Sequence, residues 1–169
     1  PRAIRDVYKR QDELLSTYAK LNAEHHREMA QQYVQPDKIE SYVEQQVTKD
    51  IGDAIESLEY EINTLYTSNG QTPFVTLGFG LGTDELSRKI QQAILRTRIK
   101  GLGKDRMTAI FPKLVFSIKK GTNFSPDDPN YDIKQLALEC STKRMYPDIL
   151  NYDKIIELLG CLLYTSMMA

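Results

Sequence analysis

The segment that decides the fold reads FVTLGFGLGTDELSRKIQQAILRTRIK and spans residues 74–100. It opens with an apolar run, residues 74–79, that is typical of a strand buried on both faces. A glycine-rich turn follows at residues 80–82, and Thr83 and Asp84 are both favoured types of helix N-cap. Apolar residues then recur at helical spacing. The segment therefore predicts a strand, a tight turn and a helix that is closed by Gly101.

Downstream of this segment, residues 109–118 predict a second strand, with Pro112 at its edge or in a bulge. A strand, a helix and a strand in this order form a βαβ unit, in which the strands are parallel and the crossover is right-handed. Residues 132–144 predict a short helix, residues 146–150 a turn that leads to an extended segment, and residues 152–159 a last helix. The chain therefore belongs to the α/β class.

Two helices are predicted upstream. The first is weakly amphipathic and runs from Asp12 to about Gln35. The second begins at Pro36, and its apolar stripe continues from Ile39 to Leu65, a length of about 40 Å at the α-helical rise. Acidic residues occupy the other faces of this long amphipathic helix, and we interpret them as its solvated side. Such a helix suits one side of a large domain or pairing with a partner helix.

The composition bounds the class of protein. The 169 residues are 41% hydrophobic and 27% charged, which is enough for one globular domain. No run of eighteen apolar residues exists, so we expect no membrane span and a cytoplasmic location. Two cysteines, Cys140 and Cys161, and two histidines, His25 and His26, build neither a disulfide framework nor a structural zinc site.

Charge is distributed unevenly along the chain. Residues 12–64 hold 12 acidic and 4 basic residues, whereas residues 83–121 hold 10 basic and 3 acidic ones. Five basic residues crowd one helix end and the loop after it: Arg96, Arg98, Lys100, Lys104 and Arg106. This cluster is a candidate triphosphate contact, although dipole complementation at a helix C-terminus and solvation of the loop are its ordinary explanations. No aromatic residue interleaves it, so we expect no nucleic-acid partner.

The glycine turn is a second candidate for phosphate. Gly82 and Thr83 precede a helix, where free N–H groups and the helix dipole favour an anion. The spacing G-x-G-x-G differs from the dinucleotide and P-loop patterns, and tight packing of the backbone is the alternative. His25 and His26 point about 100° apart on a helix and are interpreted as solvated. Cys140 is interpreted as a small buried hydrophobe rather than a nucleophile.

The two ends share an unusual feature of the genetic code. Residues 6–11 back-translate as GAT GTG TAT AAG AGA CAG, and the reverse complement of this word, read in another frame, encodes Cys-Leu-Leu-Tyr-Thr-Ser, residues 161–166. The word resembles a transposon end that is used to prepare sequencing libraries. We therefore predict that residues 1–11 and 161–169 are non-native flanks and that natural sequence is confined to residues 12–160.

Several strings in the remaining chain resemble the catalytic subunit of the anaerobic ribonucleoside-triphosphate reductases, the class III, glycyl-radical ribonucleotide reductases. The matching strings are LYTSNGQTPF at 65–74, LGFGLGT at 77–83, TAIFPKLVF at 108–116, DPNYDIK at 128–134, LEC at 138–140 and KRMYPD at 143–148. The resemblance implies that residues 12–160 are part of a reductase barrel domain, an interior slice of a ten-stranded α/β barrel of the glycyl-radical enzyme and ribonucleotide reductase type.

The resemblance also implies the chemistry of the whole protein. A radical-SAM activating enzyme installs a glycyl radical, a cysteine becomes a thiyl radical, and ribonucleoside triphosphates are reduced to deoxyribonucleoside triphosphates with formate as the usual reductant. It further implies a zinc site in a C-terminal region, ATP and dATP as allosteric effectors, and a homodimer.

The catalytic motif of the family, Met-Gly-Cys-Arg-Ser-Phe, is not among these residues, and Leu162-Leu163 follow Cys161 in place of Arg-Ser. We expect no catalytic residue and no metal ligand in this segment, and we predict that the chain is inactive alone. Strand ends that face a barrel interior supply four substrate-pocket candidates: Asn69, Gly70, Gln71 and Gly80. The alternatives are a non-catalytic module for nucleotide binding or helix-mediated interaction, and another glycyl-radical enzyme.

Overall fold

A computed structural model describes residues 2–64 and 74–159, with side chains described for 14–64 and 74–157. The chain divides into two compact units, residues 1–51 and residues 52–169. The elements, in chain order, are α1 (Arg2–Ala30), a 3₁₀ turn (Pro36–Lys38), α2 (Ile39–Thr64), β1 (Thr76–Phe79), α3 (Glu85–Lys100), β2 (Lys113–Ile118), α4 (Tyr131–Arg144), β3 (Asp148–Asn151) and α5 (Tyr152–Leu159).

The first unit contains α1 and the beginning of α2. Helix α1 ends five residues earlier than predicted, because the N–H groups of Tyr33 and Val34 both bond to the carbonyl of Ala30 and close a turn there. The guanidinium of Arg27 on α1 donates two hydrogen bonds to the carboxylate of Glu40 on α2, a bidentate ion pair, at 2.9 and 3.1 Å. This exposed pair joins the two helices, and Ala30 at the end of α1 is buried.

The long helix predicted from the apolar stripe is confirmed as α2. Its first predicted residues, Pro36–Lys38, form a 3₁₀ turn, and α-helical geometry begins at Ile39. Stripe residues such as Val43 and Ile62 are buried. The interpretation that the acidic residues are all solvated is wrong for Glu59, whose exposed fraction is 2%.

The predicted parallel arrangement is confirmed. The described strands form one sheet in the order β1-β2-β3, and both pairings are parallel. Phe79 lies opposite Phe116, and Phe116 lies opposite Ile149, which fixes the register of all three strands. The βαβ unit of β1, α3 and β2 places the segment in the α/β class, as predicted.

Strand β2 begins at Lys113, four residues later than predicted. The residues before it bond to side chains rather than to a neighbouring strand. The N–H groups of Ile110 and Phe111 donate to the amide oxygen of Asn63, and the carbonyl of Pro112 accepts from the guanidinium of Arg98. Side chains from α2 and α3 therefore hold this approach to the strand.

The core of the second unit lies between the sheet and helices α3 and α4. Its buried members are Leu95, Phe116, Ile133, Ala137 and Cys140. The predicted burial of Cys140 is therefore confirmed, and α4, β3 and α5 lie close to their predicted positions.

None of the helices within the described ranges combines the length and the apolar composition that crossing a bilayer requires. The expectation that residues 1–11 and 161–169 are non-native stays a prediction.

Candidate functional site

A cavity of about 330 Å³ opens at the carboxyl edge of the sheet, where the parallel strands end. Its walls come from β1 and the turn after it, from residues 87–94 of α3, from the end of β2 and from α5. Most of the lining is apolar. The lining residues are Leu77, Gly78, Phe79, Gly80, Leu81, Gly82, Ser87, Ile90, Gln91, Ile94, Ser117, Tyr152, Ile155 and Ile156.

The turn at residues 80–82 needs its two glycines. Gly80 has a φ of +123°, and a Cβ built on it would lie 2.5 Å from the carbonyl oxygen of Ser117. A Cβ on Gly82 would lie 2.6 Å from the Cβ of Ser87. The turn is therefore packed directly against β2 and α3, which supports the tight-packing interpretation of the glycine pattern.

Buried amides hold the carbonyl groups of this turn. The side-chain nitrogen of Asn123 donates to the carbonyl of Gly80 at 2.9 Å, and that of Asn130 donates to the carbonyl of Gly82 at 2.6 Å. Gln91 donates to the same Gly82 carbonyl at 2.7 Å. The cavity wall is therefore held by side chains from α3 and from the loop before α4.

The start of α3 carries a negative charge beside the phosphate candidate Thr83. The carboxylate of Asp84 accepts from the N–H of Ser87 at 2.9 Å, and the hydrogen bonds from Ser87 hold the pKa of Asp84 below its usual range. One of the free donors of the first turn is thus already occupied. Thr83 is exposed, and Gly82 is half-buried at the cavity.

The basic candidates lie at the other end of α3. Arg96, Lys104 and Arg106 are exposed there. Helix α3 has 16 residues, so about 24 Å separates its two ends. These three side chains and the turn at Gly82 and Thr83 are therefore too far apart to share one phosphate group.

Arg98 does not lie on the surface with its neighbours. It is fully buried, and its guanidinium contacts the carboxylate of Glu59 at 2.9 and 3.0 Å. It also donates to the carbonyls of Ala109 and Pro112, at 3.1 and 2.9 Å. Because these internal partners occupy its donors, Arg98 joins α2 and α3 to the start of β2 and is not available to a phosphate.

Glu59 is the partner that the sequence interpretation missed. Burial raises the pKa of this carboxyl group, while the charge of Arg98 acts in the opposite direction. One signal was present in the sequence: Glu59 lies four residues after Ile55 and three before Ile62, within the apolar stripe. A charged residue on an apolar helix face indicates a buried partner.

The histidine pair is only partly solvated. His25 is exposed, but the ring of His26 lies 2.7 Å from the carboxylate of Asp50, which also accepts from the amide of Asn22. These hydrogen bonds, that of His26 first, hold the pKa of Asp50 below its usual range. The interpretation of both rings as solvated is therefore wrong for His26.

Neither cysteine chemistry nor a metal centre emerges from the described side chains. Burial raises the pKa of the Cys140 thiol to about 11. Within the described ranges, no group of three or more His, Cys, Asp or Glu side chains is placed to hold a metal ion. Of the four substrate-pocket candidates, Gly80 lines the cavity, whereas Asn69, Gly70 and Gln71 lie outside the described residues.

The fold and the cavity define an α/β protein with a parallel sheet and a candidate site at the carboxyl edge of its strands. A model of the family described as "Anaerobic ribonucleoside-triphosphate reductase" matches residues 9–166. The match covers most of the chain, and the chain belongs to this family.

Individual relatives agree with the family match. The chain is 61% identical over 149 residues to an anaerobic ribonucleoside-triphosphate reductase of Haemophilus influenzae, and 58% identical over 149 residues to one of Escherichia coli K12. These alignments cover 88% of this chain and 21% of each relative. A reductase of the same name from Enterobacteria phage T4 is 55% identical over 140 residues, which are 83% of this chain and 23% of that protein. The chain thus spans about a fifth of the length of the curated relatives it matches.

Proposed function

We propose that this chain is a segment of the catalytic subunit of a cytoplasmic anaerobic ribonucleoside-triphosphate reductase, which converts ribonucleoside triphosphates to deoxyribonucleoside triphosphates. The observation that carries the proposal is the identity of 55–61% to proteins of that name over 140 residues or more. The segment alone is inactive, because radical reduction needs a site assembled from distant parts of a chain.

The sheet supports the view that the segment is a slice of a ten-stranded barrel. Within the described residues, β1 and β3 pair with β2 only, so each has a free edge. Parallel sheets are almost always covered on both faces, and barrel closure removes their edges. Further strands of the whole protein pair with these free edges and continue the sheet.

The radical groups of the proposed enzyme lie outside these 169 residues. Cys140 is buried among apolar side chains in the core, and the described residues offer no zinc ligand set. No catalytic step is therefore assigned to them. The whole protein carries the glycyl radical, which supplies the oxidising equivalent, and its partners are formate, a radical-SAM activating enzyme and a second copy of the subunit. Its effectors are ATP and dATP.

This segment contributes a wall of the substrate pocket. Parallel α/β sheets commonly bind ligands at the carboxyl ends of their strands, which is the edge where the cavity opens. The apolar lining suits the base and sugar of a nucleotide, and Gly80 allows the turn that lines the cavity to pack against Ser117 of β2. The turn at Gly82 and Thr83 is the better placed of the two phosphate candidates, since it borders this cavity.

Activity of the whole protein tests the proposal. The source gene, sequenced across both flanks and onward, is expressed as an intact protein, activated by its radical-SAM partner and assayed for dCTP formation from CTP and formate. We expect turnover by the activated protein, and none by the inactivated protein or by the 169-residue chain. Turnover by the 169-residue chain would contradict the inactive-segment prediction.

Two other outcomes would replace the proposal. Nucleotide binding without turnover in the activated protein would indicate a non-catalytic nucleotide-binding module. A downstream cysteine motif other than Met-Gly-Cys-Arg, together with a glycyl radical but no reduction of CTP, would indicate another glycyl-radical enzyme.

A further inference from the structure

Two buried asparagines, Asn123 and Asn130, donate hydrogen bonds to carbonyl groups of the turn at residues 80–82. Both have an exposed fraction of 0%. They lie in and after a loop that has the composition of an ordinary turn, and neither belongs to the cavity lining itself. Buried amides keep their place only when their hydrogen bonds are satisfied, so their partners indicate what they do.

Asn123 joins the ends of two strands. Its amide nitrogen donates to the carbonyls of Gly80 and Ser117, both at 2.9 Å, and its oxygen accepts from the N–H of Lys119 at 2.9 Å. One side chain therefore satisfies three backbone groups at the carboxyl edge of β1 and β2. The pairing of β1 with β2 ends at Phe79 and Phe116, so Asn123 bonds to backbone groups that lie just beyond this pairing.

Asn130 is the N-cap residue of α4, but its side chain makes no capping hydrogen bond. Asparagine at this position usually bonds to the first turn of the helix that it starts. Here the amide nitrogen reaches the carbonyl of Gly82 at 2.6 Å, and its oxygen accepts from Arg88 at 2.7 Å. Arg88 in turn contacts both carboxylate oxygens of Asp132, at 2.9 and 3.1 Å.

Together these bonds set the orientation of the peptide groups in the turn. The carbonyls of Gly80 and Gly82 point toward Asn123 and Asn130. In a trans peptide the N–H points opposite to the C=O, so the N–H groups of Leu81 and Thr83 point away from the two amides. Changing either amide would free a peptide plane that forms part of the cavity wall.

We infer that Asn123 and Asn130 are positioning residues for nucleotide binding: they fix the 80–82 turn, which shapes the cavity at the carboxyl edge. The inference rests on the proposed function, since it takes that cavity as part of the substrate pocket. The Asp-Pro-Asn-Tyr-Asp string at residues 128–132 thereby gains a role in the fold of the pocket, exerted through the turn and not by contact with substrate.

The test replaces each amide by a carboxylate in the intact reductase. In Asn123→Asp and Asn130→Asp, a carboxylate faces backbone carbonyls and repels them. Asn63→Asp is the matched control, because Asn63 is an equivalent amide clamp on Phe111 at the opposite edge of the sheet. Asn130→Ala removes the clamp without adding charge and serves as the second variant if a carboxylate prevents folding.

We expect the KM for the ribonucleoside triphosphate to rise about tenfold or more in the two clamp variants, with a smaller change in kcat. Asn123→Asp has the larger effect, since Gln91 still holds the Gly82 carbonyl when Asn130 is changed. Asn63→Asp lowers thermal stability but leaves KM within about twofold. The inference is overturned if Asn123→Asp and Asn130→Asp change KM no more than Asn63→Asp does when the three variants lose the same thermal stability.

Hydrogen–deuterium exchange of the peptide that contains Leu81 and Thr83 gives a readout that does not depend on turnover. Faster exchange in the clamp variants than in Asn63→Asp supports the positioning role, and equal exchange in all three overturns it. An inactive wild-type enzyme together with faster exchange in the clamp variants would contradict the proposed function while retaining the clamp.

Discussion

The parallel strands of the small sheet all begin at one side, the amino edge, and all end at the other, the carboxyl edge. Buried polar side chains bond to backbone groups at both sides, but their surroundings differ. At the amino edge, Asn63 and Arg98 bond to backbone groups before β2, and Glu59 balances the buried charge. At the carboxyl edge, Asn123 and Asn130 bond to backbone groups after β1, and a cavity of about 330 Å³ remains open beside them.

The difference supports a structural role for the buried ion pair at the amino edge and agrees with the binding site proposed at the carboxyl edge. Buried polar side chains at both edges replace ladder hydrogen bonds where strands have ended. At the amino edge the buried pair of Arg98 and Glu59 joins α2 and α3 to the residues before β2. At the carboxyl edge Gly80 and Gly82 let the turn pack closely against β2 and α3, and the cavity lies beside this turn. In eight-stranded parallel α/β barrels, likewise, the carboxyl ends of the strands carry the binding sites and the amino ends contribute to stability.

The largest effect is expected at the amino edge. Arg98→Met leaves the carboxylate of Glu59 buried without its partner and removes donors from the carbonyls of Ala109 and Pro112. We expect the free energy of unfolding, measured by urea titration, to fall by about 3–5 kcal/mol. Changing both residues, with Glu59→Leu added, should restore part of this loss, and equal instability of the single and double variants would contradict the pairing.

A smaller loss is expected at the carboxyl edge from Gly80→Ala. The new Cβ would meet the Ser117 carbonyl at 2.5 Å, on a backbone with a φ of +123°. We expect a loss of about 2–3 kcal/mol in unfolding free energy. Gly103→Ala is the control. The φ of Gly103 is +67°, but no atom would lie within 4 Å of the new Cβ, so this substitution should lower the unfolding free energy by about 1 kcal/mol. Equal losses in the two variants would show that the turn is not tightly packed.

The N-cap of α3, also at the carboxyl edge, should contribute less to the unfolding free energy than Gly80 does. Asp84→Ala removes the acceptor for the Ser87 N–H and should cost about 1 kcal/mol at pH 7, whereas Asp84→Asn should retain most of the cap. Because the pKa of Asp84 is lowered in the folded protein, its contribution is present above the ordinary value of 3.8 and is lost as the pH falls through the lowered value. Urea titrations of wild type and Asp84→Ala at several pH values should converge in acid; a constant difference would contradict this linkage.

The smallest effect on stability is expected for an exposed ion pair near the amino edge. Lys113 and Asp148 join β2 and β3 at 2.9 Å, and this contact raises the pKa of the lysine. Both side chains are about half exposed, so solvent and salt screen the interaction. Lys113→Ala should leave the urea midpoint close to that of wild type at both low and high salt. A loss of unfolding free energy comparable to that of Arg98→Met would show that burial does not explain the difference between the exposed Lys113–Asp148 pair and the buried Arg98–Glu59 pair.

Local sequence patterns predicted most of the elements. The apolar run before the glycine turn, the stripe of α3 and Gly101 at its end identify β1, the turn and α3 within a few residues. The start of β2 was predicted too early, because the apolar residues before Lys113 continue the pattern of a strand although their N–H groups bond to Asn63. Periodicity reports burial and not the identity of a hydrogen-bond partner.

The candidate site was predicted less well than the elements around it. Gly80 and Gly82 were identified from the turn and do border the cavity, but Arg98 was grouped with exposed basic neighbours although it is buried. Asn123 and Asn130 were not singled out, because asparagine in a loop is ordinary composition. Their partners, Gly80 and Gly82, lie 43 and 48 residues away in the chain.

The sequence by itself determined the α/β class, the order of the elements and the resemblance to the reductase family, since these depend on local periodicity, turn chemistry and contiguous strings. Only the tertiary structure decided which polar side chains are buried and what they hold. Arg98 meets Glu59 across 39 residues, and Asn130 meets Gly82 across 48. Such contacts form only when packing brings distant segments together, because desolvated polar groups then require partners that their sequence neighbours do not supply.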